Sequence, residues 1–398
     1  MHYDTHAFDM PVDRRGTSSL KWNKYEGDDI IPLWVADMDF RSPSGVMKAL
    51  ISRVEHGIFG YTLPPKELSD LVLSMLMDEY SWKVEHEWIV WLPGLVTGLN
   101  ICCRAVGDEK SEVMTTVPVY PPFLTAPVYS RRSLVTVRLA KDEQGYAFDY
   151  ELIEDAATPN TGMFILCNPY NPVGRVFLET ELVGIAEICL KNKMVICSDE
   201  IHSGLVLDKD KRHIPIASLD HDIAARTITL MSPSKTFNIP GLGCSFAVIP
   251  DKGLRKSFLK TMAGIVPYVN TMGFTAALAA YRDGESWHCS LVEYLRENRD
   301  IVFDTINSLP GLSTTHVEGT YLAWIDTSGS GIEDPTRFFE LAGVGLSDGS
   351  MFDGQGFVRL NFACPRRLLT EALERISVAV AGIDDDMHKG VTTHGGKE

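Results

Sequence analysis

Positive charge is scarce in this 398-residue chain, where 37 lysines and arginines stand against 53 acidic residues, a formal charge of −16. That balance provides no basic face to neutralise nucleic-acid phosphates or anionic lipid, so neither nucleic acid nor membrane is expected as a partner. No uninterrupted apolar stretch approaches the length of a bilayer-spanning helix. The opening Met1-His2-Tyr3-Asp4-Thr5-His6 lacks the basic and apolar regions of a secretion signal. The eight cysteines contain no C-x-x-C pair; Cys102 and Cys103 are adjacent, and Cys167 and Cys197 sit inside apolar runs. They read as reduced core thiols, and no zinc-type spacing of His and Cys is present, so no metal is expected. Repeats, low-complexity tracts and long linkers are also missing. The expectation is a soluble cytoplasmic globular protein.

What is present is a change of rhythm. From about residue 90 to 250, short apolar runs alternate with helical patterns: Glu112–Val117, Met163–Cys167, Met194–Cys197, Thr227–Met231 and Ser245–Ile249, with Leu178–Asn192 helical between two of them. This predicts an α/β fold with a mostly parallel sheet covered by helices on both faces. After residue 285 a long helix over Trp287–Leu309 ends at Pro310-Gly311. Shorter strands (Tyr321–Ile325, Phe357–Phe362) then mix with helices (Pro335–Ala342, Arg366–Ala381). A large domain over 47–286 and a smaller α+β domain over 1–46 plus 287–398 follow. The stretch from about Met387 is expected to be frayed.

Three polar features follow consecutive strand-like runs: Asn168-Pro169-Tyr170-Asn171-Pro172-Val173-Gly174-Arg175, Asp199-Glu200-Ile201-His202, and Ser232-Pro233-Ser234-Lys235. Ligands of an open parallel sheet sit at the carboxyl ends of its strands, where all three would lie. Singly, each has an ordinary explanation. Asn-Pro pairs build turns, Asp199 and Glu200 suit a helix start, and a lone lysine is usually a surface charge. Together they place a lysine able to form a Schiff base near a carboxylate. Pro93-Gly94-Leu95-Val96-Thr97 adds a turn into a helix whose first N–H groups, those of Leu95, Val96 and Thr97, suit an anion. Tyr120 follows another strand and offers a ring to a flat heterocycle.

This ordered set resembles the pyridoxal-phosphate enzymes of the aspartate-aminotransferase fold over nearly the whole chain. More narrowly, Pro32–Phe40 and Ser232–Asn238 are similar to the carbon–sulfur β-lyases, the cystathionine β-lyase and cystalysin-like subgroup. The resemblance implies a seven-stranded sheet in the large domain and pyridoxal 5'-phosphate as cofactor. Lys235 would carry the cofactor and move the substrate Cα proton. Asp199 would pair with the pyridine nitrogen, Asn171 with the phenolic oxygen, and His202 would stand beside it. Tyr120 would stack on the ring. The turn at Leu95–Thr97, with Ser232 and Ser234, would hold the phosphate. Tyr61 would reach the phosphate of a neighbouring subunit, implying a homodimer with shared active sites. Arg359, in Val358-Arg359-Leu360-Asn361, would clamp the carboxylate of an amino-acid substrate, with Ala36 and Asn171 also on the substrate side. One departure stands out: eight residues beyond Lys235, where many aminotransferases supply an arginine to the phosphate, the chain has Gly243.

The implied reaction is α,β-elimination of L-cystathionine, L-cysteine or related S-substituted cysteines to pyruvate, ammonia and a thiol. An aminotransferase would use the same Lys235, Asp199 and Arg359. A regulatory protein retaining the fold is a third reading, one that does not need the Lys235–Asp199 pair. Asp37 and Asp39 are read as turn carboxylates ahead of substrate contacts.

Overall fold

The structure, a computed structural model, describes residues 5–142 and 145–392. Among them the chain divides into two compact units. Unit 1 holds Arg41–Val292 with Glu318–Thr320; unit 2 holds 5–40, 293–317 and 321–392. The divisions fall at Phe40/Arg41 and Val292/Glu293, where the sequence reading set them at 46/47 and 286/287. Residues 41–43 lead directly into helix α1 (Ser44–His56) of unit 1, and 44–46 are its first residues.

Unit 1 is built on seven strands: β1 (Ile89–Leu92), β2 (Glu112–Val117), β3 (Ser133–Arg138), β4 (Thr161–Cys167), β5 (Val195–Asp199), β6 (Thr227–Met231) and β7 (Ser245–Val248). Their spatial order is β1-β7-β6-β5-β4-β2-β3. β7 is antiparallel to both β1 and β6, and the other pairs are parallel. Six strands therefore end on one edge. β5 and β6 are buried at every residue, which explains their unbroken apolar sequence: both faces are covered. β1 and β3 lie outside the runs named above. β3 is an edge strand with exposed residues, and β1 is only four residues long. Helix α2 (Lys66–Tyr80) buries Leu68, Val72 and Leu76, one per turn, against Met231, Phe246 and Val248 of the sheet and Phe274 and Ala277 of α7 (Thr271–Asp283). Each such burial is worth about 1.5–3 kcal/mol. Between α2 and α7 lie α3 (Leu95–Ala105), α4 (Pro121–Tyr129), α5 (Glu179–Lys191) and α6 (Lys252–Met262). Glu181 caps the start of α5 by accepting from Leu178 N at 2.8 Å.

Unit 2 carries an antiparallel sheet in the order β8 (Ser313–Thr314), β9 (Leu322–Asp326), β11 (Phe357–Asn361), β10 (Ser347–Asp348). Ile31–Pro32 pairs in parallel with Val344–Gly345. Helix α8 (Glu285–Ser308) passes from one unit into the other, followed by α9 (Pro335–Leu341) and α10 (Arg366–Thr392). α10 buries Leu369, Leu373, Ile376 and Val380 at helical spacing. It runs to Thr392, beyond the expected end near Ala381, and the last residues of the stretch expected to fray lie outside the described residues. Among the described residues no helix is long and apolar enough to cross a membrane.

Candidate active site

The carboxyl edge of the unit 1 sheet gathers most of the candidate residues. Read across the sheet, β1 leads to Leu95–Thr97, β6 to Ser232–Lys235, β5 to Asp199–His202, β4 to Asn168–Asn171 and β2 to Tyr120. Five strands pointing one way therefore deliver five motifs scattered over 140 residues of sequence to one edge. Backbone bonds knit neighbouring motifs together. Asn168 N donates to Asp199 O at 3.0 Å, Tyr120 N to Asn171 O at 3.2 Å, and Glu200 N to Leu230 O at 2.9 Å. Cys167 Sγ accepts from Asn171 N at 3.4 Å, and Tyr170 OH donates to Thr116 O at 2.7 Å. The Asn-Pro loop is thereby tied to β2 and β4.

Asp199 is 4 % exposed, and its Oδ1 accepts from Ile201 N at 3.1 Å. Burial pushes its carboxyl up to about 7; the Ile201 N–H opposes this, Glu200 adds to it, and the charge of Lys235 pulls the other way. A buried carboxylate raised this far lacks enough cationic compensation within its own chain. A ring nitrogen bearing a proton would supply it.

At the other end of the site, α3 begins at Leu95, directing its first N–H groups outward with the positive end of the helix dipole. Gly94 is extended at φ 176°, so the turn does not itself require glycine. A Cβ there would meet nothing within 4 Å: the space beside the first turn of α3 is open. Ser232 is more committed than expected, its Oγ donating to Cys244 O at 2.8 Å and accepting from Ser234 N at 3.1 Å. Gly243 is left-handed at φ +59°, and a Cβ would lie 2.8 Å from Pro93 O. This backbone therefore excludes an arginine at 243. The donors of α3's first turn and the carboxylate of Asp199 fit a flat, phosphorylated ring with a basic nitrogen.

In unit 2, Arg359 is buried, and its Nη2 donates to Trp34 O at 2.9 Å and Ser347 Oγ at 3.3 Å. The 33–38 segment has little regular structure, yet its carbonyls are held one after another. Leu33 O accepts from Asn361 N, Val35 O and Asp37 O from Asn361 Nδ2, Ala36 O from Tyr321 OH, and Met38 O from Arg14 Nη1. The structure thus brings Arg359 and the Trp34–Ala36 segment together. Tyr61, by contrast, is fully exposed on unit 1.

Two expectations are corrected. Glu200 starts no helix: it is fully buried, accepts from Ser198 Oγ at 2.8 Å, and pairs with His213 Nε2 at 2.8 Å. Asp39 is no turn carboxylate either. It is 3 % exposed and bound to Lys21 Nζ at 2.7 Å, Arg14 Nη1 at 2.7 Å and Trp22 Nε1 at 2.9 Å. Asp37 takes the other end of Arg14, at 2.6 Å. Sequence reasoning missed His213, Ser347 and Phe352. For the last two, the signal available is their place just before the strand carrying Arg359. His213 offers none locally. Among the described residues, no group of three or more His, Cys, Asp or Glu is placed to hold a metal ion.

Residues 28–376 match the family aminotransferase class I and II. The chain is 36% identical over 386 residues to the cystathionine beta-lyase PatB of Bacillus subtilis (strain 168), covering 94% of this chain and 100% of the relative. The crystal structure of OvoB superposes with a TM-score of 0.92 at 44% identity, covering 94% of this chain and 98% of that one. Cystalysin from Treponema denticola, whose crystal structure contains a pyridoxal 5'-phosphate cofactor, superposes with a TM-score of 0.91 at 30% identity, covering 96% and 100%.

Proposed function

The chain belongs to the aminotransferase class I and II family, and from that premise we propose that it is a pyridoxal 5'-phosphate-dependent carbon–sulfur β-lyase acting on cystathionine, cysteine or related S-substituted cysteines. The observation that carries the reading is the carboxyl edge of the unit 1 sheet, where a lysine, a buried and under-compensated aspartate and a helix N-terminus converge. The similarity to a cystathionine beta-lyase along nearly the full length of both chains supports elimination over amino transfer. So does Gly243, which removes the phosphate arginine common among aminotransferases.

Lys235 would hold the cofactor through Nζ, with Asp199 at the ring nitrogen, Asn171 and His202 at the phenolic oxygen, and Tyr120 against the ring. The N–H groups of Leu95, Val96 and Thr97, with Ser232 and Ser234, would receive the phosphate. When bound, the cofactor supplies an electron sink for the pair left at the substrate Cα. Asp199, raised to about 7 by burial in the chain alone, takes its ionised form once a cationic nitrogen faces it. Arg359 binds the substrate carboxylate as a planar fork, with Ala36 and Asn171 beside the substrate. Lys235 Nζ, released when the substrate amine takes its place, would then take the Cα proton. Loss of the β-substituent breaks the carbon–sulfur bond and releases a thiol, and the remaining three-carbon enamine hydrolyses to pyruvate and ammonia.

We place the enzyme in the cytoplasm as a homodimer with shared sites. All eight cysteines are free, seven of them buried, which suits a reducing compartment. The dimer rests on segment 58–63. Thr62 Oγ1 is 2.5 Å from Thr271 Oγ1 and pins the segment down, yet Ile58, Phe59, Tyr61 and Leu63 all face solvent. An ordered segment with four large exposed apolar side chains calls for a partner surface. The deciding assay supplies the holoenzyme with cystathionine, cysteine and S-alkylcysteines and measures pyruvate and thiol. Release of neither from any of them overturns the lyase reading.

A further inference from the structure

Arg359 is held by a second residue whose place is set by strand register. In the antiparallel pair β10–β11, Ser347 lies directly opposite Arg359. On the other side, Trp324 of β9 faces the same position. Directly opposed residues share a face, with Cβ atoms about 4.5–5.5 Å apart, so the serine hydroxyl falls within reach of the arginine. The hydroxyl serves two partners. Ser347 Oγ accepts from Arg359 Nη2 at 3.3 Å and donates to Trp34 O at 2.6 Å. That carbonyl itself accepts from Nη2 at 2.9 Å. The two acceptors therefore lie on the same side of Nη2 and share one of its N–H groups, and one acceptor is locked to the other. Phe352, also buried, lies under the guanidinium at 4.7 Å from Cζ to the ring centroid. That shared bond to two linked acceptors sets the rotation of the guanidinium plane, and the ring face sets its tilt.

We propose that Ser347 is a positioning residue for amino-acid recognition: it presets the guanidinium of Arg359 for the α-carboxylate, with Phe352 as the platform. This rests on the reading of Arg359 as the carboxylate clamp. A planar fork is effective only when it arrives in the carboxylate's plane, and a long side chain left to wander loses that advantage on every binding event. Ser347 acts through Arg359, so its removal should weaken carboxylate binding while leaving bond-breaking intact.

The test measures, on the holoenzyme, the dissociation constant of propionate by calorimetry together with KM and kcat. Propionate carries the carboxylate and nothing else of the substrate. Ser347→Ala should raise both the propionate constant and KM about fivefold to tenfold with kcat within about twofold, the loss of roughly one hydrogen bond to a charged group. Ser347→Thr, which keeps the hydroxyl, should restore tight binding, and Phe352→Leu should give an increase of about threefold or less. If Ser347→Ala is poorly folded by melting temperature, Ser347→Cys serves in its place. An unchanged propionate constant in the serine variant, beside a raised one in Arg359→Ala, overturns the role of Ser347 and leaves the clamp standing. An unchanged constant in Arg359→Ala removes the clamp and this proposal with it. A fall in kcat and melting temperature with propionate binding intact marks Ser347 as merely structural and also overturns the proposal.

Discussion

Each unit buries one aspartate to almost the same degree, and the two behave in opposite ways. Asp39 of unit 2 and Asp199 of unit 1 are 3 % and 4 % exposed. Burial raises the carboxyl of Asp39 too, but the charge of Lys21 and the bonds from Lys21 and Trp22 outweigh it, holding it below the ordinary value. Burial of Asp199 is not outweighed, and its carboxyl rises to about 7. Equal burial therefore has different consequences according to whether the chain itself provides the counter-charge. Asp39 is a finished structural ion pair. For Asp199 the charge of Lys235 does not offset burial, a pattern that clusters at functional sites.

Substitutions at the two sites should separate these roles. The largest effect is expected next to Asp199: Lys235→Ala should cut pyruvate release at least about a thousandfold, the scale of a lost proton-transfer group, with stability within about 1 kcal/mol of the parent. Steady-state assay and thermal melting check both halves. Asp39→Asn should do the reverse, costing about 3–5 kcal/mol of stability by stranding buried Lys21, as read by urea denaturation. Asp199→Asn should stabilise the cofactor-free protein by a smaller margin while abolishing turnover.

The pH dependence sharpens the contrast. The folded value of Asp199 lies above its unfolded one, so between about 4 and 7 the native state binds more protons. Cofactor-free stability should then fall across that window as pH rises, and Asp199→Asn should flatten the slope. Asp39 is shifted the other way: its contribution is present above 3.8 and is lost as pH falls through its lower folded value. Melting temperatures from pH 3 to 8 would expose both, and a slope unchanged by Asp199→Asn would count against the under-compensated carboxylate. The smallest expected effect belongs to Gly243→Ala, about 1–3 kcal/mol of destabilisation from a strained left-handed residue and its clash with Pro93 O, without tighter cofactor binding.

Much of the site was legible because its chemistry is local. Asn168–Arg175, Asp199–His202 and Ser232–Lys235 each follow an apolar run that becomes a strand, so their placement at strand ends came with the periodicity. The helix over Glu179–Lys191 sits within the expected Leu178–Asn192 because its cap and apolar spacing are encoded within one segment. The antiparallel course of Ser245–Val248 was not legible, since buried strands of either direction have the same apolar composition. Nor was the pairing of Glu200 with His213, or of Asp39 with Lys21. Each joins residues separated by 13 or 18 positions through burial that no local pattern announces.

The sequence by itself determined which residues are candidates for the chemistry, Lys235, Asp199 and Asn171 among them, because strand-end motifs depend on residue type and short spacing. The tertiary structure alone decided which buried charges are already satisfied. It took the register of β10 against β11 to put Ser347 opposite Arg359, and the packing around Arg14, Lys21 and Trp22 to turn Asp39 into structure. Charge compensation acts through space over a few ångströms, and only the folded chain sets those distances.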